Sequence, residues 1–249
     1  MQPLAEWRAD RLAALAAADG WLNLTDRVEI AAGNRYAVGR GEENGLRISA
    51  GPEHLGILTL AADGQAHLTT PAGQDLPFTP MPGAPPRLAV DNLILEIHSA
   101  EGVPALRVRR IDHPRRFRDP GIRNFPDAPD WVIRARWLPL SAPQEAQIDL
   151  VGGRREVVRL THQAVFQHEG QTFTLIPTHW KSGAPMFVLR DLTSAGETYP
   201  AARFLIGEDM GEDAITLDFN KAHTPPCGFT EFAVCPLPPR ENILPFRIE

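Results

Sequence analysis

Trp131-Val132-Ile133-Arg134-Ala135-Arg136-Trp137 is the stretch whose reading decides the fold class. Successive side chains of a strand point to opposite faces, so Trp131, Ile133, Ala135 and Trp137 share one face while Arg134 and Arg136 share the other. An α-helix would scatter the same residues around its axis and leave no dry side. The segment therefore reads as a strand with one buried and one solvated face.

The same period of two recurs on either side. Downstream, strands are expected at Arg155–Leu160, Ala164–His168, Gln171–Pro177, Met186–Asp191, Ala202–Ile206 and Ala214–Asp218, with Glu169-Gly170 as a tight turn. Upstream, short segments at Arg35–Val38, Leu46–Ile48, Ile57–Leu60, Ala66–Thr69, Leu93–Ser99 and Ala105–Arg109 read the same way, and Asp63-Gly64 signals a hairpin. Strands this short and this regularly spaced argue for a β-sandwich. Only the beginning departs from the pattern: Leu4 to Ala18 reads as a helix that docks through Leu4, Trp7, Leu12 and Leu15, with Asp19-Gly20 as its stop.

The expected organisation is a helix over residues 1–20, a sandwich over 21–110, a linker over 111–130 and a second β domain over 131–249. The second domain is antiparallel, barrel-like or a sandwich. Its last part, Lys221 to Glu249, is crowded with prolines that bar regular structure yet stays rich in apolar residues. A tail of that kind is expected to pack down and to carry function.

Composition limits what the protein does. Net charge is −6 with a pI near 5.8, so a broad basic face for nucleic acid is not expected. Arg107, Arg109, Arg110, Arg115, Arg116 and Arg118 crowd one stretch, which reads as a solvated strand edge and linker, with an anion site as the lesser alternative. No apolar run is long enough to span a membrane. Glu6, Arg8, Asp10 and Arg11 break the segment a secretory signal would keep apolar. Two cysteines are no disulfide framework, and the compartment expected is the cytoplasm.

Two resemblances add to this reading. Leu217-Asp218-Phe219-Asn220-Lys221-Ala222-His223-Thr224-Pro225-Pro226-Cys227-Gly228-Phe229-Thr230, with Cys235-Pro236-Leu237-Pro238-Pro239-Arg240-Glu241-Asn242, resembles the prokaryotic domain-of-unknown-function family 1684, as do Arg190–Tyr199 and Ala202–Leu205. That family implies no activity. Tyr36-Ala37-Val38-Gly39-Arg40, Asn44–Ile48 and Glu53–Leu58 look like a forkhead-associated domain, a β-sandwich that binds phosphothreonine peptides through its loops. Arg40 and His54 fall where that family keeps its arginine and histidine, whereas Gly51 replaces its serine and Ala72-Gly73 its asparagine-glycine. Phosphopeptide binding is accordingly not expected to survive.

The densest polar constellation lies in the second domain: Arg190, Asp191, Arg203, Asp218, Asn220 and Glu241, with Cys227 nearby in the tail. Charges at or inside apolar strands need partners. One reading is a structural network that ties down the tail. The other is a pocket for a small-molecule ligand, anionic if Arg203 holds it, with a carboxylate to move protons. The spacing of Cys227 and Cys235 is no usual zinc pattern, and no metal or cofactor is called for. An interaction module using the first domain through Arg40 and His54 is the alternative function.

Overall fold

The structure, a computed structural model, describes residues 2–249. The chain forms two compact units: Leu12–Gly121, and Ile122–Glu249 together with the residues up to Arg11. It is mainly β.

Helix α1 (Leu4–Ala16) opens the chain. Trp7 packs its ring 5.6 Å from that of His223, Arg8 pairs with Asp127 at 2.7 Å, and Arg11 donates to the Thr224 carbonyl. Leu15 is buried. Leu12, expected in the same stripe, is 44% exposed. Residues 4, 7, 11 and 15 fall within an arc of about 80° on a helix, and residue 12 lies about 60° outside it.

The Leu12–Gly121 unit holds ten strands: β1 (Leu24–Glu29), β2 (Asn34–Gly39), β3 (Leu46–Arg47), β4 (Gly56–Leu60), β5 (Ala66–Thr69), β6 (Asp75–Pro77), β7 (Thr79–Met81), β8 (Ala84–Val90), β9 (Leu93–Ala100) and β10 (Val103–Arg110). They form two five-stranded sheets, ordered β1-β10-β9-β8-β7 and β3-β2-β4-β5-β6. Val38, Leu58 and Leu68 from one sheet and Leu95, Leu106 and Val108 from the other share a single core, which makes the unit a sandwich. The β4–β5 hairpin forms as expected, although among its turn residues only Gly64 takes positive φ, at 88°.

The arginine-rich stretch differs from its expectation. β10 lies between β1 and β9, so it is no edge, and Arg107 and Arg109 are buried on the sheet face opposite the core. Both guanidinium groups lie over the ring of Trp21, at 5.4 and 5.6 Å. Glu96 on β9 completes the cluster, pairing with Arg109 and, at 2.7 Å, with Arg87. A carboxylate on the next strand and an indole cover keep these arginines out of water, which period-two reading could not show.

The other unit holds seven strands: β11 (Val132–Asp149), β12 (Arg155–His168), β13 (Gln171–Leu175), β14 (His179–Lys181), β15 (Ala184–Leu189), β16 (Arg203–Ile206) and β17 (Ala214–Asp218). A four-stranded antiparallel sheet ordered β13-β12-β11-β17 and a three-stranded one ordered β14-β15-β16 enclose one core, with Phe187, Leu189, Leu205, Leu217 and Phe219 at its centre. Trp137 and Ala135 point into it while Arg134 and Arg136 stay exposed, as the opening heptapeptide requires. Arg155–Leu160 and Ala164–His168 are one strand: the irregularity lies on β11 between Pro139 and Gln144, and β12 runs past it unbroken. Glu169 and Gly170, at φ 49° and 75°, make the tight turn into β13.

After β17 the tail makes only short 3₁₀ turns, at Phe219–Lys221, Pro226–Gly228 and Arg240–Asn242, and isolated bridges, yet it buries Phe229, Ala233, Leu244 and Ile248.

The helix stripe can be checked by truncation. Leu15→Ala should cost about 2–5 kcal/mol, as for a buried leucine, while Leu12→Ala should stay within about 0.5 kcal/mol of the parent in chemical denaturation.

Candidate functional site

The constellation expected in the second domain separates into two networks. In the first, Arg203 at the start of β16 and Asp191 just after β15 form an ion pair at 3.0 Å, with side chains 5% and 0% exposed. Arg203 also donates to the Ile248 carbonyl at 3.2 Å. Asp191 accepts from the Ile248 amide at 2.7 Å and from the Thr193 hydroxyl at 2.8 Å. Burial pulls the Arg203 pKa down and the Asp191 charge opposes that pull. In the second network, Asn220 donates to Asp218 and exchanges two hydrogen bonds with the backbone of Ala128. Lys221, also buried, reaches Glu208 at 2.7 Å and Asp218 at 3.4 Å.

Arg190 and Glu241 are exposed, and Arg190 enters the architecture through its backbone, paired with Asn242 and Leu244. Asn242, beside the expected Glu241, is fully buried. Its amide group donates to the carbonyls of Ile176 and Val188 and accepts from the Ile176 amide. Cys227 belongs to neither network, and its carbonyl accepts from the Tyr199 hydroxyl at 3.2 Å.

Of the cavities lined by described residues, two lie elsewhere, and none of these residues lines either. One, of about 330 Å³, lies at the loop end of the sandwich and is lined by Arg40, Ser49, Gly51, Pro52, Asn92 and Arg110, among others. Arg40 follows β2 directly, where Gly39 lets the next loop come close: a Cβ there would meet the Glu53 carbonyl at 2.2 Å. Gly51 takes φ +94° against Leu93. The loop is stapled by Asn44, which donates to the carbonyls of Gly41 and Glu53 and meets His54 Nδ1 at 2.9 Å. His54 thus acts on loop shape, whereas Arg40 faces the cavity. Ser49 and Asn92 were not singled out by sequence, and Arg110 was noted only as part of the arginine-rich stretch: the three come from separate loops and the end of β10, and no spacing joins them.

Two cations and an amide converge here. Arg40 pairs with Glu53 at 2.7 Å, and Arg110 pairs with Asp112 at 2.7 Å. Asn92 donates to the same aspartate at 3.0 Å. All four charged side chains are at least 40% exposed, so water screens these pairs and an incoming anion can exchange with them. The Ser49 hydroxyl is committed to Asp26 at 2.9 Å.

The second cavity, of about 610 Å³, is an open groove on the solvated face of β11, β12 and β13, lined by Arg134, Arg136, Gln167 and Thr172 with Ile133, Val165 and Phe166. Arg134 is tethered to the Asp209 carbonyl at 2.9 Å and to the Thr216 hydroxyl at 3.1 Å.

The family model described as protein of unknown function (DUF1684) matches residues 117–249, just over half of the chain. The chain belongs to this family. The DUF1684 match covers the buried Arg203–Asp191 pair, the tail and the open groove. Among solved structures, the solution structure of an uncharacterized protein from Haloarcula marismortui is similar at 25% identity, over 51% of this chain and 72% of that one, with a TM-score of 0.42. Comparison with curated proteins finds no match. Among the described residues no helix is long and apolar enough to cross a membrane, and no group of three or more His, Cys, Asp or Glu is placed to hold a metal.

Two outcomes test the buried chemistry. Arg203→Ala leaves Asp191 buried without its cation and should cost about 3–5 kcal/mol, with Arg203→Lys keeping the charge but losing the fork geometry. Denaturant melts of both against the parent measure it. His223, packed against Trp7 and Phe204, has its pKa pulled down to about 3 by burial, aided by the Arg11 charge. The unfolded chain protonates this residue near its ordinary value of about 6.5, so its contribution to stability is complete above that pH and is lost as pH falls toward 3. The urea midpoint should therefore drop from pH 7 to pH 5, and drop less in His223→Leu.

Proposed function

We propose that the sandwich unit is a recognition module for a phosphate-bearing ligand, held at the loop-end cavity by Arg40, Arg110 and Asn92. The observation that carries this reading is the convergence of two guanidinium groups and a side-chain amide from separate loops on one cavity of about 330 Å³. Guanidinium donates in a planar fork that matches a phosphate edge, and two such forks with an amide can take the three terminal oxygens of a dianion. The forkhead-associated resemblance supports the same end of the sandwich, with Arg40 in the same role. Gly51 supplies no hydroxyl and Ala72-Gly73 no amide, and in this reading Asn92 and Arg110 stand in for both. Exchange of Glu53 and Asp112 for the ligand preserves the charge balance around the arginines.

A second reading, favoured by the groove that carries Arg134 and Arg136, places a small anionic ligand on the DUF1684 domain. The ligand is then met by one tethered and one exposed arginine on a sheet face. Neither reading uses Arg190, Asp191, Arg203, Asp218, Asn220 or Glu241 as ligand contacts. In both, the buried members of that set hold the domain together.

Titration of inorganic phosphate and of a phosphothreonine peptide library into the full chain tests the proposal. A lost charge-assisted hydrogen bond is worth about 1.5–3 kcal/mol, so Arg40→Ala and Arg110→Ala should each weaken binding about tenfold or more. Binding of the peptides but not of free phosphate would identify a peptide as the carrier. Undiminished binding in both variants would reject the sandwich site, and its loss in Arg136→Glu would transfer the function to the groove.

A further inference from the structure

Leu95, Ile97, Leu106 and Val108 point into the sandwich core, so alternation turns Glu96, His98, Ala105 and Arg107 to the opposite face of the same sheet. There β1, β10 and β9 bring charges together in register. Arg27 on β1 stands directly opposite Arg107 on β10, and Arg107 stands opposite Glu96 on β9. The neighbouring row reads Glu29, Ala105, His98. Side chains opposite one another on adjacent strands lie about 4.5–5.5 Å apart at Cβ, and like charges placed so destabilise a sheet. Glu96 is committed to Arg109 and Arg87. Arg27 meets Glu29 through Nη1 at 3.2 Å, and that carboxylate is 45% exposed, so water screens the pair.

The rest of the Arg27 guanidinium is enclosed. Its side chain is only 10% exposed, and Nε and Nη2 meet no hydrogen-bond acceptor among the described residues. Those two nitrogens make one edge of the group and present parallel N–H bonds, a fork that a carboxylate fits with both oxygens. Nδ1 of His98 is enclosed and unpartnered in the same way. Ala105, the shortest side chain of the two rows, stands between Glu29 and His98 and contributes no polar group there.

We propose that this face binds a small carboxylate anion, held by the Nε–Nη2 edge of Arg27 and by His98 Nδ1, with Arg107 supplying charge from the opposite strand. A carboxylate seated there gives Arg27 a bidentate partner and sets a negative charge beside two cations that otherwise repel. Burial, followed by the charges of Arg107, Arg27 and Arg109, pulls the His98 pKa down to about 4. At neutral pH the ring is therefore uncharged and offers a single N–H, which the anion fixes on Nδ1. The enclosure of Arg27 restricts the ligand to a few heavy atoms, of the size of formate or acetate. None of these residues lines the loop-end cavity, and the site does not depend on the phosphate reading.

An anion bound only to the folded chain raises its stability by mass action. Sodium acetate titrated into the full chain at pH 7, with sodium chloride holding the ionic strength constant, should raise the thermal midpoint along a saturable curve. Arg27→Gln should abolish the rise. That variant removes a cation from opposite Arg107, so it should fold without acetate. His98→Leu keeps every arginine and should raise the half-saturating acetate concentration about tenfold. Arg40→Ala should leave the response unchanged. Line broadening of ¹³C-labelled acetate by the parent protein, and not by Arg27→Gln, reads the same binding without melting. An absence of any saturable rise in the parent, or an equal rise in Arg27→Gln, overturns the proposal. So does a loss confined to Arg40→Ala, which would put the anion at the loop-end cavity.

Discussion

A proline-rich tail lacks many of the amide donors that would let it join a sheet, so beyond its isolated backbone bridges several of its polar groups are satisfied by side chains. The second unit is arranged around that constraint. Asp191 takes the Ile248 amide while Arg203 takes the Ile248 carbonyl, so one buried ion pair closes both polar groups of a single tail residue. Asn242 performs the same service between Ile176 and Val188, and Asn220 performs it for Ala128. Charges and amides that look like a binding site in the sequence are here the means by which an irregular segment is sealed against a β core. The cost of burying Arg203 and Asp191 is offset only because every partner is present together.

This explains how the sequence was legible and where it was not. Alternation in Trp131–Trp137 and Leu93–His98 gave strands and faces, because a half-buried strand leaves a direct pattern in composition. Arg203 could be placed inside an apolar strand and Asp191 included among its partners, since a buried guanidinium limits the candidates. Strand β8, with Pro85 and Pro86 in its interior, carries no such alternation, and neither does β1. Leu12 was misplaced because a helix this rich in alanine offers several stripes of similar hydrophobicity, and Arg8 and Arg11 complete the docked face. The cavity at Arg40 was half visible: a motif pointed to Arg40, but the approach of Asn92 and Arg110 depends on how three loops end, which is a property of the sandwich as a whole.

Each unit uses arginine in two contrasting ways. Arg107 and Arg109 are roofed by Trp21 and balanced by Glu96, and Arg203 by Asp191, so these guanidiniums serve the architecture. Arg40, Arg110, Arg134 and Arg136 remain at cavity rims, where exposed pairs exchange easily. Burial and the identity of the opposing group distinguish the two sets better than position in the chain does.

The second unit is discontinuous: it draws residues up to Arg11 and then those from Ile122 onward. A ribosome delivers the intervening sandwich whole before most of that unit exists, and domains generally fold as they emerge. The helix that packs Trp7 on His223 therefore waits through more than two hundred residues of synthesis for its partner. The Asp191–Arg203 pair waits longer still, for Ile248. Until then Trp7 and the edge of β16 that later bridges His223 stay open to other chains, and transiently exposed apolar surface and unpaired strand edges of this kind favour aggregation.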